Sequence, residues 1–182
     1  MLKRSITFIF LAFAGFMMTV AQNCNVDNII PKPESIVMGN RNSTFEFNAD
    51  TRIVYNWDNS DVKPAIKELD RIAIDLFGKK MSKGTKAHGA NNVIFKYNGS
   101  LADEGYILEI TPENILVSSK TGAGAFYGMQ TVLQLLPAEV ESKTVVKTDW
   151  TLPCVTIEDA PRFAYRGVHL DPCRHFQTVE EV

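Results

Sequence analysis

The chain has 182 residues, 45% of them hydrophobic and 22% charged, with a formal net charge of −2. This is ordinary globular composition at a length that suits one domain or slightly more. Near-neutral charge with dispersed lysines and arginines excludes electrostatic nucleic-acid binding, which needs a basic patch.

At the N-terminus, Lys3 and Arg4 precede the uncharged apolar stretch "SITFIFLAFAGFMMTV" (residues 5–20), and small residues surround a cut site after Ala21. Residues 1–21 therefore read as a secretory signal peptide. A membrane anchor needs about 20 apolar residues and a stop-transfer flank, so no stable span is expected after cleavage. Asn23 fits poorly with a lipobox ending at Cys24. The mature chain is expected to be exported, to a bacterial periplasm or to the cell exterior. The sequons at Asn42 and Asn98 matter only in a eukaryotic secretory pathway. Cys24, Cys154 and Cys173 are odd in number and show no metal-ligand spacing. Buried or free thiols are the expectation, with a pairing of two left open by export. No cofactor and no metal site is expected.

"NIIPKPESI" (residues 28–36) reads as an extended lead-in, since Pro31 and Pro33 deny it helix and central-strand roles. "STFEFN" (43–48) and "TRIVYNW" (51–57) read as strands. "DVKPAIKELDRIAIDLF" (61–77) carries an apolar stripe of Val62, Ile66, Leu69, Ala73 and Leu76, which predicts a helix. Ser60 or Asp61 can cap it, Pro64 is tolerable in its first turn, and Gly78 ends it. Residues 79–92 have the polar, glycine-bearing character of a loop, with His88 a solvated side chain.

Three strands come next, "VIFKY" (93–97), "GYILEI" (105–110) and "NILVSS" (114–119), the last two joined by a hairpin link. A second helix over residues 123–136 has Phe126, Met129, Leu133 and Leu136 as its stripe and Pro137 as its stop. Gly122, Gly124 and Gly128 lower its intrinsic propensity but let its backbone approach a sheet closely. With neither a Walker lysine nor a dinucleotide fingerprint, they do not read as a phosphate loop. "LPCVTIED" (152–159) is a last strand. Adjacent strands interrupted by two helices predict an α+β layer over residues 22–157, with a mostly antiparallel sheet and both helices on one face.

The densest polar chemistry lies in "RFAYRGVHLDPCRHF" (162–176). Val168 and Leu170 alternate as in a strand, and Asp171 and Arg174 fall just after it. In a parallel α/β barrel, residues at the C-terminal end of a strand point into the active site. An arginine there offers a fork of donors to neighbouring hydroxyls, which suits a sugar.

Three stretches, "IIPKPESI", "GYILEI…NILVSSKTGAGAFYGMQTVLQLLP" and "LPCVTIEDAPRFAYRGVHLDPCRHF", resemble in order the family 20 glycoside hydrolases, the β-N-acetylhexosaminidases. "GAFYGMQTVLQLL" is shared with the related family 84 enzymes. "YRGVHLDPCRHF" discriminates, because family 84 carries a glutamate-glycine-aromatic pattern after the Arg-Gly. The resemblance implies an α+β first domain followed by a (β/α)8 TIM barrel, whose first strand begins within residues 158–182. It implies removal of terminal N-acetylglucosamine or N-acetylgalactosamine from glycans by a substrate-assisted retaining mechanism. Arg174 matches the family arginine that grips the terminal sugar, and Asp171 and His175 share its motif as further substrate-binding candidates. Arg166 is expected to brace the barrel entrance rather than bind sugar.

The family's catalytic Asp-Glu pair is expected beyond residue 182, so no catalytic residue is assigned. Asp103-Glu104 precedes "GYILEI" and reads as a solvated turn. A chain without the pair is expected to be an inactive portion of the enzyme, with residues 160–182 poorly packed. The alternative reading is a stand-alone accessory module that binds glycan through exposed aromatics, with Trp57, Tyr97 and Tyr127 as candidates.

Overall fold

The computed structural model describes residues 25–55, 61–142, 144–171 and 176–180. A 3-10 turn over Asn25–Asn28 leads into β1, Ser35–Met38, and β2, Thr44–Glu46. β3 spans Arg52–Tyr55, α1 spans Lys63–Phe77, and β4 spans Ser82–Gly84. Next come β5 (Asn92–Tyr97), β6 (Tyr106–Ile110) and β7 (Asn114–Ser119), then α2 (Gly122–Leu135), β8 (Thr151–Pro153) and β9 (Val155–Asp159).

Seven strands form one sheet in the order β1-β9-β6-β7-β5-β3-β4, and β2 pairs with β8 in a small antiparallel ribbon. The large sheet is mixed, which corrects the expectation of a mostly antiparallel one. β1, β9, β6 and β7 pair antiparallel, whereas β7, β5, β3 and β4 pair parallel. The β6–β7 hairpin was legible because its turn is local, with Thr111 N–H donating to the Asn114 carbonyl at 3.0 Å. The parallel half arises because β7 inserts between β6 and β5, a placement no local pattern encodes.

Alternation along the strands sets one face of the sheet against the core. Leu108, Val117, Phe95 and Ile157 are buried, and their neighbours Glu109, Lys96, Thr156 and Glu158 are exposed. The buried residues join those of α1 and α2 in one cluster. Each fully covered aliphatic side chain there contributes about 1.5–3 kcal/mol of burial.

α1 begins on a Val62 cap with no side-chain hydrogen bond, so Asp61 does not cap it, and Ser60 lies outside the described residues. Pro64 sits in the first turn, where its missing N–H is harmless. Gly78 ends the helix in the left-handed region, φ 71°, with its N–H on the Ile74 carbonyl at 2.9 Å. The segment after α1, expected to be a loop, contains β4, a three-residue edge strand beside β3. It also holds Asn91 and Asn92, whose amides bind Asn48 and Asn114 at 2.9 and 2.7 Å.

α2 is buried nearly all round, so Phe126 is only half-buried while Ala125, Gly128 and Val132 face the core. Close approach is confirmed at Gly128, where a Cβ would stand 2.7 Å from Val117 Cγ1. The last predicted strand is two, β8 and β9. The Cys154 carbonyl between them accepts from Gly39 N–H at 2.8 Å as the chain changes partners from β2 to β1. Pro153 favours that break, since it cannot donate to a ladder. Cys154 is a buried free thiol, and burial together with the Glu113 carboxylate pushes its pKa up.

Among the described residues no helix is long and apolar enough to cross a membrane. Residues 1–21, predicted to be a signal peptide, lie outside the described residues.

Candidate functional site

β9 delivers the chain at Asp159 to the segment that carries the predicted sugar-binding motif. The described residues after Asp159 hold no helix or strand. Phe163, Tyr165, Val168 and Leu170 are exposed there. Asp171 is exposed, and Arg174, His175 and Cys173 lie outside the described residues. The structure therefore gives no geometry for Arg174 or His175.

Arg166 ties this segment to the α+β layer. Its guanidinium donates to Glu104 Oε1 at 2.6 Å, to the Tyr127 hydroxyl at 3.2 Å and to the Phe163 carbonyl at 2.5 Å. Its guanidinium carbon lies 5.9 Å from the centre of the Tyr127 ring, within cation–π reach. Tyr127 in turn donates to Glu104 Oε1 at 3.2 Å. The Arg166 hydrogen bond and charge, helped by Tyr127, hold the Glu104 carboxyl below its usual range.

Each of these partners is positioned by a separate element. Tyr127 stands on α2, and Glu104 sits in the loop just before β6. That loop is pinned to the start of α2. Lys120 Nζ meets Asp103 Oδ1 at 2.7 Å, and the Thr121 hydroxyl donates to the Asp103 carbonyl. Gly124 allows the approach, because a Cβ there would collide with the Gly105 carbonyl oxygen. Asp103-Glu104 is a solvent-facing turn, as its sequence suggests, and both carboxylates are also paired with cations. Arg166 does brace the segment, but against the first domain's loop and helix.

Of the candidate aromatic platforms, Tyr97 is exposed, Tyr127 is half-buried in the Arg166 cluster, and Trp57 lies outside the described residues. His88 is exposed. No group of three or more potential metal ligands occurs among the described residues. No sequence pattern signalled a cleft of about 620 Å³ between the sheet edge and α1, lined by Tyr55, Lys63, Lys67, Asp70 and Lys83. Lys83 Nζ donates to Asp70 Oδ2 there at 2.5 Å.

Residues 27–160 match the family described as glycosyl hydrolase family 20, domain 2. The chain is 38% identical over 163 residues to a β-hexosaminidase of Porphyromonas gingivalis, covering 85% of this chain and 20% of that protein. It is similar to the solved family 20 β-N-acetylhexosaminidase of Streptomyces coelicolor, with a TM-score of 0.75 and 30% identity over 85% of this chain and 31% of that one. It is also similar to the family 20 exo-β-N-acetylglucosaminidase of Vibrio harveyi, with a TM-score of 0.67, 26% identity, and coverage of 85% of this chain and 22% of that one. The chain therefore spans between a fifth and a third of the length of these relatives. Its mixed sheet with two covering helices, and the match over residues 27–160, show that the chain belongs to glycoside hydrolase family 20.

Proposed function

We propose that the chain is the N-terminal portion of an exported β-N-acetylhexosaminidase that removes terminal N-acetyl-D-hexosamine from glycans. The observation that carries this reading is the domain 2 match over residues 27–160, joined to the 38% identity with a β-hexosaminidase. The segment after β9 then opens the catalytic barrel, with Val168 and Leu170 to be covered by neighbouring strands. An isolated strand leaves its backbone groups and apolar side chains unmatched, which accords with the exposure of these two.

In this reading the substrate's own acetamido oxygen attacks the anomeric carbon and the configuration is retained. A glutamate outside these 182 residues protonates the departing oxygen, and the aspartate before it orients the acetamide. Arg174 contributes a planar fork of donors to the hydroxyls of the terminal sugar. Asp171 and His175 are secondary candidates for the same sugar.

The only Asp-Glu dipeptide in the chain is Asp103-Glu104. Its carboxylates are engaged with Lys120 and Arg166, so it does not supply the catalytic pair. Residues 22–182 alone are therefore inactive in this reading.

Replacement of Arg174 in the complete gene product tests the assignment. Arg174→Ala should lower kcat/KM for a chromogenic N-acetylglucosaminide by about 10- to 100-fold, the scale of lost charge-assisted hydrogen bonds. An unchanged kcat/KM would remove Arg174 from the sugar site.

A further inference from the structure

We propose that Glu104, Tyr127 and Arg166 form a latch that fixes the direction in which the segment after Asp159 leaves the α+β layer, making the first domain a positioning element for the sugar-binding arginine. This rests on the reading of Arg174 as a substrate ligand. The segment is held asymmetrically. Its apolar side chains Phe163, Tyr165 and Val168 are exposed and hold it to nothing. Arg166 gives it a polar attachment to the layer.

The cluster constrains position and orientation together. The 2.6 Å contact with Glu104 and the 3.2 Å contact with the Tyr127 hydroxyl fix one guanidinium nitrogen from two directions. The 2.5 Å contact with the Phe163 carbonyl closes the backbone turn that precedes it. The guanidinium carbon also lies 5.9 Å from the centre of the Tyr127 ring, within cation–π reach. Glu104 does not drift, because the adjacent Asp103 is pinned to Lys120 and Thr121 at the start of α2. The latch therefore refers Arg166 to α2 and β6, two elements anchored in the core.

Arg174 comes eight residues later. A change in where Arg166 is held is therefore passed along the chain toward Arg174. A lysine at position 166 could not reproduce this, since an ammonium has neither the fork nor the plane.

The test uses the complete gene product, with amide hydrogen exchange read alongside kinetics. Glu104→Gln and Arg166→Gln should each speed exchange over residues 162–171. Each should raise KM about two- to fivefold, the scale of an exposed ion pair, while kcat stays within about twofold. The two substitutions combined should cost no more than either alone. The charge-reversed pair, Glu104→Arg with Arg166→Glu, should recover part of the lost protection. Melting temperatures serve as the folding control.

Unchanged exchange over residues 162–171 overturns the latch. Faster exchange with unchanged KM overturns the positioning role, as does an additive double variant. If the wild-type product cleaves no N-acetylhexosaminide, the proposed function falls, and the exchange comparison still supports or overturns the latch by itself.

Discussion

Glu104 looks in the sequence like one more charge in a turn, and its partner lies 62 residues downstream. Only folding brings the loop before β6 against the segment after β9. The consequence is measurable by pH. The Arg166 hydrogen bond and charge lower the Glu104 pKa, Tyr127 assists, and burial and the neighbouring Asp103 oppose. A carboxylate with a depressed pKa in the folded state stabilises the fold fully above the unfolded value. That contribution is lost as pH falls through the folded value. A carboxyl-carbon NMR titration should therefore place the Glu104 midpoint below the ordinary 4.5. Arg166→Gln should move the midpoint back up toward it, and a midpoint unaffected by that change would mean the pair does not form in solution. Arg174, by contrast, is singled out only by its motif and lies outside the described residues.

At the scale of elements, local chemistry foretold most of what local chemistry controls. The amphipathic stripe of α1, its Gly78 stop and the β6–β7 turn all come from short-range pattern. The failures share a non-local cause. β4 is too short and polar to announce itself, and it becomes a strand because β3 offers an edge. β8 and β9 read as one run because both are β-branched and apolar, while their separation depends on pairing with β2 and β1. The stripe read for α2 holds at Met129, Leu133 and Leu136, which are buried; glycines carry no hydropathy signal, so the face of Gly124 and Gly128, nearest the sheet, was not part of it. This gives a test at Gly124. In an open helix, Gly to Ala stabilises by about 1 kcal/mol. Here the new Cβ meets the Gly105 carbonyl, which is backbone and yields little. Gly124→Ala should therefore destabilise by about 1–2 kcal/mol and lower the melting temperature by roughly 3–6 °C. A higher melting temperature would show that the helix does not approach the 104–105 loop this closely.

For the whole molecule, the α+β layer encloses its own core, and its last strand ends at Asp159. The segment beyond Asp159 bears exposed apolar side chains and contacts the layer through Arg166. We propose that this layer positions a sugar-binding segment while the bond-cutting carboxylates reside elsewhere in a longer enzyme. The direct measurement is turnover of a chromogenic N-acetylglucosaminide by residues 22–182 and by the complete gene product, side by side. The account predicts cleavage by the complete product and none by residues 22–182. Cleavage by residues 22–182, or none by the complete product, would contradict it.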